Sequence, residues 1–380
     1  MPFSSEGREA GIALAMSGGG YRAVLFHCGA LLRLNELRLL SRLARISSVS
    51  GGSIVSGMLA VNWARLTIEA DGHISNLEEI IIAPLQKFCS QALDVGAFLR
   101  GAINPFKSAG DELVDAYRER LGLGVPLGEL SKEAPRFVFN STNYATGVTF
   151  RFSQAYCGDY RIGLIKRIPW DVATAVAASS AFPPVFAPLV LEPDPALFEP
   201  VLGSDLHDQI DFKRKLLLAD GGVYDNLGLE TVWGRYDTVL VSDGGKPFEI
   251  DSKPSGSLAQ IARVADIGMT QALALRKRVL IDAFKNANVL RGTYWGIGTL
   301  IDNYQLDDAI AVDPDVSTRL SAVRTRLNAF SAQEQAELIN WGYAVSDAAL
   351  RVHLAPLLGQ GLPAPKLPRG DVPLVRPHVH

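Results

Sequence analysis

The sequence predicts an α/β fold, a three-layer αβα sandwich around a mostly parallel central sheet. Three observations predict it. Short apolar runs alternate with helical patterns from residue 8 to about residue 355. Two of the early runs end in glycine-rich turns spaced by about one strand–helix–strand repeat. Farther on, Leu216-Leu217-Leu218-Ala219 and Thr238-Val239-Leu240-Val241-Ser242 are continuously apolar, as in parallel strands buried on both faces. With 380 residues, 48% of them hydrophobic and 20% charged, the chain can bury a large core. A single domain is expected over 8–355, with a motif-bearing core at 10–250, a helical insertion at 67–133 and C-terminal helices at 258–355.

Taken in order, Ile12-Ala13-Leu14-Ala15-Met16 reads as a strand and Ser17-Gly18-Gly19-Gly20-Tyr21-Arg22 as the turn after it. A helix follows over about Tyr21 to Leu40, apolar at Val24, Leu25, Leu31, Leu32 and Leu34. Ile46-Ser47-Ser48-Val49 is the next strand, and Ser50-Gly51-Gly52-Ser53-Ile54 the next turn. Ser53 is placed at its apex, opening a helix that carries Ile54, Val55, Met58, Leu59 and Val61. Residues 67–133 are short amphipathic pieces interrupted by glycine. Arg136–Asn140 and Val148–Phe152 form a hairpin pattern, and a helix over 171–180 stops at Phe182-Pro183-Pro184. A long helix covers about Leu258 to Phe284, with Ile261, Val264, Leu275 and Val279 on one face. Further helices are expected over Ser317–Leu327 and Ser331–Leu350, then an irregular tail at 356–380.

Composition excludes several classes. A net charge of −3 gives no basic footprint for nucleic acid. Cys28, Cys89 and Cys157 are widely separated, with no CxxC or Cys/His cluster, so neither a disulfide framework nor a zinc site is implied. The N-terminus has no signal-peptide core, and no run of about 18 apolar residues occurs. A cytoplasmic or peripheral-membrane protein is expected, and leader-free secretion would leave no mark in such a sequence. No metal, no cofactor and no nucleic-acid partner is expected.

The two glycine turns carry the chemistry. A serine on a tight strand-to-helix turn presents its hydroxyl above the sheet, at the positive end of a helix. The neighbouring glycine turn offers bare N–H groups to the same point. Phosphate binding is the competing reading, since Gly18-x-Gly20-x-x-Ala23 fits a loose dinucleotide fingerprint. That fingerprint needs an acidic residue about 20 positions on, and no Asp or Glu lies between Glu36 and Glu69. A P-loop would need Gly-Lys-Ser/Thr where the chain has Gly20-Tyr21-Arg22.

A serine needs a partner to take its proton. None of His27, His73, His207, His353, His378 or His380 sits in a loop after a late strand, where a conventional triad would want it. Asp220-Gly221-Gly222 does follow an apolar strand, at its C-terminal end. Asp243-Gly244-Gly245 repeats the pattern and is the competing carboxylate.

Together these residues resemble the patatin-like phospholipase family, over roughly residues 10–250. Ser17–Arg22 is similar to its glycine-rich oxyanion motif, and Gly51-Gly52-Ser53-Ile54-Val55 to its G-x-S-x-G elbow, with Val55 replacing the last glycine. Ala177–Pro184 is similar to its Ala-Ser/Phe-Pro block, and Asp220-Gly221-Gly222 with Asp225-Asn226 to its Asp-Gly-Gly segment. The resemblance implies a patatin-like sandwich and a Ser53–Asp220 dyad that acylates and deacylates without histidine. It implies an oxyanion hole from the amides of Gly18, Gly19 and Gly20, with Arg22 bracing the loop or meeting a phosphate. Phospholipid or another lipid ester is the implied substrate, with peripheral membrane contact. A thioesterase or acyltransferase on the same fold, and a catalytically silent lipid-binding module, stand as alternatives. Residues 91–107, apolar at Leu93, Val95, Phe98, Leu99, Ile103 and Phe106, read either as core of a helical cap or as a lid hinged at Gly96 and Gly101.

Overall fold

The computed structural model describes residues 7–93, 109–183, 186, 188–248, 250, 256–286, 289–325 and 327–375. Its strands are β1 (Glu9–Met16), β2 (Leu43–Ser48), β3 (Arg136–Asn143), β4 (Val148–Ser153), β5 (Cys157–Asp159), β6 (Gly163–Ile165), β7 (Leu189–Leu191), β8 (Phe198–Glu199), β9 (Leu216–Asp220), β10 (Tyr236–Asp243) and β11 (Arg291–Gly296). The main helices are α1 (Gly20–Glu36), α2 (Gly51–Asn62), α3 (Ala83–Cys89), α4 (Ala109–Leu121), α5 (Val172–Ser180), α6 (Ser257–Phe284) and α7 (Ala332–His353).

The strands form one mixed sheet in the order β11-β10-β1-β2-β3-β4-β5-β6-β8. From β11 to β3 every neighbouring pair is parallel. From β3 onward the pairing is antiparallel. Alternation along β1 shows the layers directly: Ile12, Leu14 and Met16 enter the core shared with α1, α2 and α7, while Ala13 and Ala15 enter a second core with Leu227, Val232, Leu280 and Ala283. Helices therefore cover both faces of the sheet, as an αβα sandwich requires.

Direction is where the expectation for residues 216–219 fails. β9 is antiparallel, pairing with β3 through Ser141↔Asp220 and with β7 through Leu189↔Leu218. A continuous apolar run reports burial on both faces and says nothing about strand polarity. The first half of β3 pairs with β2 and its second half with β9. This change of partner brings the end of β9 beside the ends of β1 and β2.

The C-terminal region is built into the core. Ser331 caps α7 in a reciprocal box with Glu334, and α7 crosses α1 so closely that a Cβ on Gly29 would overlap the Ile339 carbonyl. The other expected C-terminal helix is only the short Val316–Ser321 turn. Under the crossing, Arg33 is 1% exposed and pairs at 2.8 Å with Asp347, which is fully buried. Breaking it removes the buried partner of Arg33, which is left with the part-exposed Glu36 at 2.7 Å. Asp347→Ala is expected to cost about 3–5 kcal/mol, read from the shift of a urea-unfolding midpoint.

Candidate active site

β1 and β2 end side by side, and each hands over directly to a helix. After β1, the Ser17 N–H donates to the Ser242 carbonyl at 3.0 Å and the Gly18 N–H to the Asn226 carbonyl at 3.1 Å. Gly19 then turns at φ 145°, where a Cβ would also lie 2.7 Å from the Gly244 oxygen. After β2, the chain turns at Ser50, with φ 51° and ψ −118°. That conformation lies outside the left-handed helical well as well as the ordinary regions, and a side chain held there stores about 1–3 kcal/mol. Strain of this kind on a serine between a strand and a helix is the geometry of a nucleophile elbow.

The apex residue is therefore Ser50, and the expectation of Ser53 is corrected. α2 begins at Gly51, so Ser53 lies within the first helical turn and is fully buried. Its hydroxyl meets Ser48 Oγ at 3.1 Å and Ser179 Oγ at 2.9 Å, away from the cavity described below. With this shift the departure moves from Val55 to the first position, where Ser48 stands in place of glycine. Centred on Ser50, the elbow reads Ser48-Val49-Ser50-Gly51-Gly52, and its last position is a glycine. Packing demands that glycine: a Cβ at Gly52 would press on the Met16 and Ser17 carbonyls, and the Gly52 N–H donates to Ser17 at 3.2 Å.

Ser179 fastens the elbow from α5. Its carbonyl and hydroxyl both accept the Ser50 N–H, at 3.1 and 3.0 Å, and its own hydroxyl donates to the Asn140 carbonyl at 2.6 Å. The Ala-Ala-Ser-Ser run gave a family signature in the sequence but no role for this side chain. Its contact across 129 residues could not be read from local pattern.

Asp220 closes the constellation. Its backbone N–H is held by the Ala181 carbonyl at 3.0 Å, and its carboxylate accepts from the Gly222 N–H at 2.7 Å. The Ser50 hydroxyl lies close enough to favour its charged form. Burial raises the Asp220 pKa to about 7, against the lowering pull of the Gly222 N–H and the Ser50 hydroxyl. Asp243 is different in kind. Burial alone would raise it, yet the Lys277 ammonium, the Tyr294 hydroxyl at 2.8 Å and the Gly245 N–H hold it well below the usual carboxylate range. It is a fixed anion beneath the loop, whereas Asp220 titrates near neutrality.

The glycine loop divides its donors. The Gly18 N–H is committed to Asn226, which removes Gly18 from the expected set of oxyanion donors. The N–H groups of Gly19, Gly20 and Gly51 have no acceptor among the described residues. All three residues line the same cavity as Ser50 and Asp220. Arg22 is also corrected as a member of the hole. It is fully buried, and its guanidinium donates to the carbonyls of Gly244 (2.9 Å), Ser321 (2.6 Å) and Val323 (2.8 Å). Arg22 braces the loop against two other segments and does not reach the cavity.

The cavity has a volume of about 560 Å³. Ile54, Phe182, Phe186, Met269, Leu273 and Leu327 give it an apolar wall, and Lys246, Asp266 and Arg276 supply charge. No histidine lines it among the described residues. His27 lies below the loop, between the Ser17 carbonyl (3.0 Å) and Ser242 Oγ (2.8 Å), and burial lowers its pKa to about 4, so it is neutral. Among the described residues no group of three metal-ligating side chains converges, and no helix is long and apolar enough to cross a membrane. The stretch 94–107, most of the expected lid, lies outside the described residues; Leu93 before it is buried and donates to the Leu327 carbonyl at 3.0 Å.

The family profile described as Patatin-like phospholipase matches residues 14–233. Among solved structures the chain is similar to human GIVD cytosolic phospholipase A2, with 13% identity, 91% of this chain and 62% of that one covered, and a TM-score of 0.47. It is also similar to VipD from Legionella pneumophila, with 14% identity, 92% and 68% covered, and a TM-score of 0.39. The chain thus spans about three fifths of the human enzyme's length in that structure. No curated protein matches it.

Proposed function

Because the chain belongs to the patatin-like phospholipase family, we propose that it is a lipid acyl hydrolase acting through Ser50 and Asp220. One observation carries the reading: a strained elbow serine has as its neighbour a buried carboxylate whose pKa stands near 7. A general base works best when its pKa lies near the operating pH, and an unperturbed carboxylate is far too weak.

In this mechanism the ester carbonyl sits over Ser50 with its oxygen toward the amides of Gly19, Gly20 and Gly51. Ser50 Oγ attacks the carbonyl carbon as its proton passes to Asp220. The tetrahedral oxyanion is held by the three N–H groups, each contributing up to a few kcal/mol in a site closed to water. Collapse expels the alcohol of the lipid, which takes the proton back from Asp220, and leaves an acyl-Ser50 ester. Water then attacks that ester, Asp220 accepts its proton, and the fatty acid leaves as Ser50 Oγ is reprotonated. The apolar wall of Ile54, Phe182, Phe186 and Leu273 suits an acyl chain. Lys246 and Arg276, on the same cavity, suit the negative charge of a phosphodiester.

An alkyl fluorophosphonate tests the nucleophile without knowledge of the natural lipid. Labelling is expected at Ser50 by peptide mass mapping, with turnover of a lipid ester lost in proportion. Label on Ser53, or none on an enzyme that still turns over, would overturn the assignment. Labelling without any hydrolysis, but with transfer of the acyl group to an added alcohol or thiol, would identify a transferase on the same site.

A further inference from the structure

Helix α6 has two faces of opposite character, arranged the wrong way round for an ordinary surface helix. Asp266, Met269, Thr270, Leu273 and Arg276 face inward and line the cavity. Ile261, Ala265, Gly268, Ala272, Leu275 and Val279 recur at steps of four and three along the other side, and all are exposed. Ile261 is 67% exposed, Leu275 55% and Val279 42%, with Val264 beside them at 70%. The sequence pattern of this helix suggests a core face, and the structure leaves that face in water. The only charges between Ile261 and Leu275 are Arg263 and Asp266, which lie off the stripe and pair with each other at 3.6 Å. Nearby, Phe248 stacks under Arg263 at 4.1 Å and is itself 38% exposed. Exposed aliphatic side chains in one helical row, uninterrupted by charge, take the form of an interfacial helix face.

We propose that the outer face of α6 docks onto a lipid bilayer and holds the cavity within one helix width of the membrane surface. The inference rests on the lipid-hydrolase reading for its logic and on three observations for its placement. The first is size. From Ile261 to Val279 the stripe is about 27 Å long and about 10 Å wide, or roughly 270 Å². A stable contact with a second protein or a second copy needs about 800 Å² from each partner, whereas an apolar helix face enters a bilayer interface without a matching groove. The second is continuity: the stripe and the cavity wall are two sides of one helix, so docking brings lipid to the cavity. The third is charge. Arg276 and Lys277 turn inward onto Asp225 and Asp243, and Arg263 pairs with Asp266, so no residue of the outer row is charged. An uncharged apolar row meets no ion-desolvation cost on entering a bilayer interface.

The test uses the full chain carrying Ile261→Asp and Leu275→Asp, with Ile261→Ser and Leu275→Ser as a milder pair. Co-flotation with phosphatidylcholine vesicles containing one third phosphatidylglycerol is measured in a Ser50→Ala background, so that no lipid is consumed. Vesicle-bound protein is expected to fall at least about tenfold with the Asp pair and less with the Ser pair. With Ser50 intact, turnover of a short, monomeric soluble ester should stay within about twofold, which also reports an intact site. Unchanged flotation of the Asp pair, or no flotation of the parent protein, would overturn the proposal. So would a parent that sediments as a dimer and a variant that sediments as a monomer with flotation unchanged, since the stripe would then be a protein interface. Loss of the hydrolase reading would look different: flotation that depends on the stripe, in a protein with no esterase activity on any substrate.

Discussion

Ser50→Ala is expected to remove lipid-ester turnover by a factor on the order of 10³ or more, while Ser53→Ala keeps turnover within about tenfold of the parent protein. The first change deletes the atom that would carry the acyl group and leaves the elbow otherwise intact, since Ala at φ 51° is as strained as Ser. The second deletes a hydroxyl that bonds only Ser48 and Ser179. Ser179 keeps its bond to the Asn140 carbonyl and still accepts the Ser50 N–H, so the elbow stays fastened. A stability loss near 1 kcal/mol is the expected cost of Ser53→Ala. Ser50→Gly adds a control, because glycine adopts the Ser50 conformation without strain. It should be as inactive as Ser50→Ala and at least as stable in thermal melts. If Ser53→Ala abolished turnover in a folded protein and Ser50→Ala did not, the elbow would be misassigned.

The serine pair also shows where sequence reasoning reaches its limit. Two serines bracket Gly51-Gly52, and aligning Gly51–Val55 with a G-x-S-x-G elbow puts the turn apex and the start of α2 at Ser53. The structure starts it at Gly51 for a reason that lies elsewhere in the chain. A Cβ at Gly51 would overlap the Gly20 carbonyl, and one at Gly52 would press on the end of β1. Those glycines serve a close approach between two loops, a tertiary fact that the local motif does not show. The order of the motifs, the buried strand at Ile12–Met16 and the position of Asp220 after a buried strand were all legible, because each depends on short-range pattern. The polarity of β9, the bonds of Arg22 and the exposure of α6 were not, because each depends on what the rest of the chain places alongside. The apolar periodicity of α6 gives its stripe correctly. Only the fold reveals that the stripe faces water, with the cavity on the other side.

Asp220→Asn should separate the catalytic and structural consequences of a buried carboxylate, and pH gives the separating variable. In the parent protein turnover is expected to rise through about pH 7, as Asp220 loses its proton and becomes able to accept one from Ser50. Asn cannot accept that proton, so turnover should fall by a factor on the order of 10² or more and lose the rise. Stability should move the opposite way. The folded-state pKa of about 7 lies above the ordinary 3.8, so the folded protein binds this proton more tightly than the unfolded chain. The stabilisation that goes with the bound proton is full below about pH 4 and is lost as pH rises through 7. Across that window the shift corresponds to a loss on the order of 4 kcal/mol. Asn keeps an acceptor for the Gly222 N–H and has no charge to desolvate. Asp220→Asn should therefore unfold later than the parent at pH 8 and at about the same denaturant concentration at pH 4. An Asn variant that is inactive and also less stable at pH 8 would mean that the carboxylate is held by a partner charge, and Asp220 would then have to be read as a structural anion like Asp243.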